Sequence, residues 1–119
     1  MSMNRNLRSL VEASEGKNMK NADLRNANLQ DSDLSGADLS GAKMYGAFLI
    51  RATLSGAFLQ FAYLSGANLT EANLKGAILK EAEFDGAKFA GADMKGADFS
   101  GARNLDKAVW PKGYRLVKE

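Results

Sequence analysis

The side chains on this chain that can do chemistry are carboxylates, lysines and hydroxyls, because its 119 residues include neither His nor Cys. Without those two types the acid–base switch of neutral pH, the thiolate nucleophile and the structural zinc site are all missing. Asp31-Ser32-Asp33 suggests a cation site. No further calcium-loop spacing follows it, however, and Ser32 holds a position expected to face inward. Solvated Asp and Asn side chains supporting nearby backbone are the preferred reading. The glycines repeat as G-x-x-x-x-G, but Gly91 and Gly96 are followed by Ala rather than by Lys-Ser/Thr, so the spacing carries no phosphate-loop meaning. Carboxylate pairs also need a cleft that desolvates them, and a regular repeat offers none. No catalytic, metal-binding or cofactor-binding residue is assigned, and no cofactor is expected.

What positions these side chains is a five-residue unit that recurs without insertion from Lys17 to Ala102. Met19, Leu24, Leu29, Leu34, Leu39, Met44, Leu49, Leu54, Leu59, Leu64, Leu69, Leu74, Leu79, Phe84, Phe89, Met94 and Phe99 stand at every fifth position. From Leu24 onward the residue two places earlier is Ala, with Ser32 the lone substitute. A period of five fits neither a helix nor a long strand. Within one unit the Ala and the large residue are two apart, so both point to one side of a short extended segment. The residue between them points outward, as Asp23, Asn28, Asp33, Asp38, Lys43 and Asn68 do. Two small or polar residues follow, often Ser-Gly, and Gly there permits a tight corner. Each unit is one side and one corner of a coil, and the stacked coils bury the large residues and alanines as a continuous core.

The corner residues set the number of sides. Arg51, Phe61, Glu71 and Glu81 alternate with Gly56, Gly66 and Gly76, which suits an even number. Four sides bring Arg51 beside Asp31 and Glu71, twenty residues away in either direction, as opposite charges in register. The bulky corners at Arg51, Phe61, Glu71 and Glu81 are expected to avoid positive φ, since side chains there would be strained.

The A-D/N-L-x-x pattern, as in Ala22-Asp23-Leu24-Arg25-Asn26 and Ala67-Asn68-Leu69-Thr70-Glu71, resembles the pentapeptide-repeat proteins over about three quarters of the chain. The resemblance implies an all-β fold, a right-handed quadrilateral parallel β-helix. It implies little about activity. One branch of the family resembles duplex DNA in shape and charge and shields type II topoisomerases from quinolones.

The chain is read as one domain in three parts: an N-terminal helical cap at 1–16, a β-helix of slightly more than four coils at 17–103, and a short helix and tail at 104–119. Leu7, Leu10 and Val11 have the spacing of an amphipathic helix, and the open end of a β-solenoid needs a cover. At the other end the next large-residue position holds Asn104, with Leu105 one place late. Leu105, Ala108 and Val109 are spaced for a short helix that Pro111 and Gly113 stop, and Leu105, Val109 and Trp110 are expected to cover this end of the core. Tyr114, Leu116 and Val117 are placed to pack down or to pair with another chain. With no Cys and no long apolar run, a cytoplasmic location is expected.

Recognition remains as a function. The middle of the chain departs from the polar pattern, with Tyr45, Phe48, Ile50, Phe58, Phe61, Tyr63 and Ile78 at outward or corner positions. These form the expected interaction surface, for another protein or a second copy. Stacking between rungs that only stabilises the rod is the alternative. A DNA-mimicking topoisomerase (gyrase) binder is the alternative function, and charge speaks against it. Residues 17–103 contain ten Lys/Arg and ten Asp/Glu, whereas a duplex mimic needs strongly negative faces. Basic residues are scattered over all sides rather than forming a stripe, so no nucleic acid is expected as a partner, and no membrane.

Overall fold

The structure, a computed structural model, describes residues 17–114. Expectations for the N-terminal cap at Leu7, Leu10 and Val11, and for Leu116 and Val117, lie outside the described residues. Parallel bridges join residues twenty apart from Asn18 to Arg103, for example Asp33 with Thr53, Thr53 with Asn73, and Phe58 with Ile78. Twenty residues of five-residue units make four sides per coil. Only the outward residue of each unit forms a bridge, so each side is a stack of very short extended segments rather than a sheet of conventional strands.

Two hydrogen-bond series hold neighbouring coils. The N–H of the large inward residue donates forward, as Leu54 does to the Asn73 carbonyl at 2.7 Å. The N–H of the outward residue donates backward, as Phe58 does to the Ala37 carbonyl at 2.8 Å. Each corner closes when the Ala N–H donates to the preceding large residue's carbonyl, as Ala57 does to Leu54 at 3.0 Å. The interior is apolar: Leu24 through Met94 in the large-residue column are buried together with Ala27 and the inward alanines from Ala37 to Ala92. Met19 and Phe99, at the two ends of the column, are partly buried. Ser32, alone in replacing Ala, is buried and donates its hydroxyl to the Leu29 carbonyl at 2.7 Å. That bond meets the cost of placing a hydroxyl among apolar side chains.

The corners overturn one expectation. Arg51, Phe61, Glu71 and Glu81 all have positive φ, between 57° and 61°, as do Asn21, Asn26, Asp31 and the corner glycines. The reason is the ladder. The N–H at this corner position also donates to the next coil, with Phe61 reaching the Lys80 carbonyl at 3.0 Å and Glu71 the Ala90 carbonyl at 2.8 Å. A corner with negative φ would turn that N–H out of line, so coil geometry overrides the preference of one bulky residue, which costs roughly 1–2 kcal/mol.

The regular coil ends after Arg103. Asn104 is left-handed, with φ 60° and ψ 34°, and a 310 helix spans Leu105–Lys107. The bridge register then slips from twenty to twenty-one, Lys88 pairing with Val109. Trp110 stacks on Phe89 with ring centroids 4.6 Å apart and planes at 5°, and meets Phe99 edge-on at 5.8 Å. Its indole N–H donates to the Leu105 carbonyl at 2.8 Å. Leu105 is partly buried against the core. Val109, expected to help cover this end, is 56% exposed. As the bridge partner of an outward residue, its side chain points away from the interior.

Candidate interaction surface

The outward positions of the polar units serve the backbone. The side-chain oxygen of Asp or Asn accepts the N–H two residues on, the first residue of the corner. Asn28 takes the Gln30 N–H at 3.2 Å, Asp33 that of Ser35 at 3.1 Å, Asp38 that of Ser40 at 3.1 Å and Asn68 that of Thr70 at 3.1 Å. Hydroxyls at the corner add a second bond to the same oxygen, as Ser40 does to Asp38 at 2.6 Å. These bonds favour the charged carboxylate. Hydrogen bonds from the side chains and N–H groups of Ser35 and Ser40 hold Asp33 and Asp38 below the ordinary aspartate value. Asp23, gripped by the Arg25 side chain at 2.8 Å and by its N–H, falls to about 2. Burial works to raise Glu83, but hydrogen bonds from Asn104 and the Asp85 N–H outweigh it and leave it below the ordinary glutamate value.

The Asp31-Ser32-Asp33 group is committed to protein partners. Asp31 receives Arg51 at 2.8 Å across one coil, Ser32 is buried, and Asp33 takes Ser35 and lies 3.6 Å from the Lys17 ammonium. Among the described residues no cluster of three or more His, Cys, Asp or Glu is arranged to hold a metal ion. Among them no helix is long and apolar enough to cross a membrane.

The seven apolar candidates occupy the same outward and corner positions without such bonds. Phe58 and Ile78 are bridge partners on one side of the rod. Phe61 stands at the next corner and is 59% exposed, and Phe58 is 42% exposed. Tyr63 lies on the adjoining side, bridged to Lys43 and Glu83. Tyr45, at the following corner, stacks on Tyr63 with centroids 5.5 Å apart and planes at 28°. Phe48 does not join this group: its bridges are to Asn28 and Asn68, ten residues and hence two sides from Phe58. It sits on the opposite side of the rod, and Ile50 follows it around the next corner. The apolar residues therefore form a partial girdle. Its densest part, Phe58, Phe61, Tyr63 and Ile78, spans two adjoining sides.

Gln60 was not anticipated. It occupies the corner between Phe58 and Phe61, and its side-chain oxygen is buried without a hydrogen-bond partner. In the coils before and after, the same place holds Ser40 and Lys80. A long amide between two aromatics was the available signal.

A family model described as pentapeptide repeats matches the chain in eight copies, over residues 15–41, 32–70 and 67–103. Solved structures agree. The pentapeptide-repeat protein Rfr23 from the cyanobacterium Cyanothece 51142 is 37% identical with a TM-score of 0.59, over 76% of this chain and 61% of that one. The pentapeptide-repeat protein alr5209 from Nostoc Pcc 7120 is 32% identical with a TM-score of 0.56, over 93% and 89%. QnrB1, a plasmid-mediated fluoroquinolone resistance protein, is 24% identical with a TM-score of 0.65, over 77% of this chain and 48% of its own length, and shows likeness of fold alone. The chain thus spans less than two thirds of Rfr23 and about half of QnrB1. No curated protein matches it.

Proposed function

The chain belongs to the pentapeptide-repeat family, and from that premise we propose that it is a non-catalytic protein-interaction module. Its partner rests on the two adjoining sides that carry Phe58, Phe61, Tyr63 and Ile78. The coil is read as right-handed, as the family implies. One observation carries the functional reading. Asp38 and Phe58 are bridged neighbours on one side, and where Asp38 binds the corner N–H, Phe58 gives up that bond and exposes an aromatic ring instead. A rod selected only for stability has no use for that exchange, whereas protein interfaces are enriched in Phe and Tyr near their centres. The neutral charge of the repeat region supports this reading over a DNA mimic.

The test is the double variant Phe58→Ser/Tyr63→Ser, with Phe48→Ser on the opposite side as control. Oligomeric mass and the set of co-purifying proteins are measured beside urea unfolding. The double variant is expected to lose its association while unfolding stays cooperative, and the control to keep both. If the double variant loses cooperative unfolding while its associations persist, the aromatics are rung-to-rung structure and the proposal fails.

A further inference from the structure

At the C-terminal end of the rod the backbone ladder stops on two sides, those of Asp93 and Asp98, while the chain goes on to pair with the other two. Arg103 and Val109 pair with Glu83 and Lys88 on two successive sides. On the side of Ala97–Ala102 no described residue follows. One coil earlier the pattern there is complete: Leu79 N–H donates to the Asp98 carbonyl at 2.7 Å, Glu81 N–H to the Ser100 carbonyl at 2.9 Å, and the Ala77 carbonyl accepts the Asp98 N–H at 2.9 Å. The equivalent groups of the last rung, the N–H of Phe99 and Gly101 and the carbonyl of Ala97, have no partner among the described residues. An open cavity of about 550 Å³ lies against them, bounded by Leu105. Its floor is Phe99, the large inward residue that is only partly buried, with Trp110 against its ring.

Unpaired ladder groups beside an apolar floor are the elements of strand addition, in which main-chain bonds supply affinity and side-chain positions supply choice. We propose that this rung edge is an acceptor site for an extended segment of a partner protein, read as a small residue, then Lys or Arg, then a large apolar residue. Laid parallel on the edge, the large residue stacks inward on Phe99 as each inward side chain stacks on the one below. The basic residue stands over Asp98, whose carboxylate sits at the last rung with Lys80 at 3.8 Å on the inner side. Arg103 over Glu83 on the neighbouring side, at 3.9 Å, is the same arrangement within the chain. A second copy of this edge fits worse. It brings a second Asp98 carboxylate to the edge in place of a basic side chain, and like charges brought together there are destabilising.

The probe is the blocked peptide Ser-Gly-Ala-Lys-Leu-Ser-Gly, titrated against the full chain. Fluorescence of Trp110, the single tryptophan, and hydrogen exchange of the Phe99 and Gly101 amides are the readouts. Saturable quenching or enhancement with slowed exchange at both amides is expected, and a peptide with Glu in place of Lys should bind about fivefold or more weakly. Asp98→Lys should reverse that preference. Absence of saturable binding, or equal binding of the two peptides, overturns the proposal. So does a Leu116→Ser/Val117→Ser variant that binds the peptide about tenfold tighter than wild type, since the chain's own tail is then the occupant. Concentration-dependent dimerisation that protects Phe99 without peptide also overturns it, in favour of a second copy.

Discussion

Asp38 and Phe58 hold the same outward position in consecutive coils, and the corner beside each is built differently. Asp38 is tied to its corner by two bonds from Ser40. Phe58 offers its corner none, and Gln60 beside it has a buried side-chain oxygen without a partner. Beneath both, the interior is the same: Ala37 and Leu39 below one, Ala57 and Leu59 below the other, all buried. The outer layer of this fold is thus free to change while the inner column and ladder carry the coil. A functional surface can be written on one stretch without redesigning the core under it.

The sharpest way to break that comparison is through the core. Leu34→Ala, below the polar coils, and Leu64→Ala, below the girdle, each open a cavity at a position with at most 1% exposure. Both are expected to cost about 2–5 kcal/mol in urea unfolding, and to agree with one another within about 1 kcal/mol. A much smaller cost for Leu64→Ala would mean that the aromatic exterior braces the middle coils, and the independence of inner and outer layers would be lost.

Much of this was legible in the sequence, for identifiable reasons. The five-residue period follows from packing, since every large residue must reach one interior. The charges at Asp31 and Arg51 reported the twenty-residue register, and the two pair at 2.8 Å. That register also contains the opposition of Phe48 and Phe58, ten residues apart, although grouping by composition concealed it. Corner φ was not legible, because residue preference is local whereas the ladder that fixes φ joins residues about twenty apart. The outward turn of Val109 was hidden for a related reason. The corner at Asn104 takes a 310 helix, and the added register residue moves every later side chain.

A smaller effect separates corners rather than sides. Phe61 and Gly56 share the positive-φ corner geometry, at 61° and 65°, but only Gly adopts it without strain. Phe61→Gly should relieve about 1 kcal/mol, less the greater freedom Gly has when unfolded. Gly56→Ala should lose about 1 kcal/mol although a Cβ there meets nothing within 4 Å. Chemical denaturation of the two variants checks both. Should Phe61→Gly prove destabilising, the ring is bracing its neighbours, and its assignment to a partner surface weakens.

The smallest expected effect tests the outward exchange itself, and it depends on pH. Asp23, Asp33 and Asp38 in the first coils all titrate below the ordinary aspartate value because hydrogen bonds from Arg25, Ser35 and Ser40 hold their charged forms. A carboxylate whose folded pKa lies below its unfolded one stabilises the fold above the unfolded value and loses that contribution as pH falls through the folded one. For Asp23 the window runs from 3.8 down to about 2. Phe58, at the girdle, carries no titratable group. Phe58→Asp should therefore copy Asp38 by accepting the Gln60 N–H, and raise stability at pH 7 by about 0.5 kcal/mol, the low end for a bond shared with solvent. The gain should disappear on acidification to pH 2, whereas Phe58→Asn should keep its gain across the same range. Melting temperatures of the wild type and both variants at pH 7, 4 and 2 decide it. If Phe58→Asp is less stable than wild type at pH 7, the exposed ring contributes more to the fold than the bond it displaced, and the aromatic girdle belongs to the rod rather than to a partner.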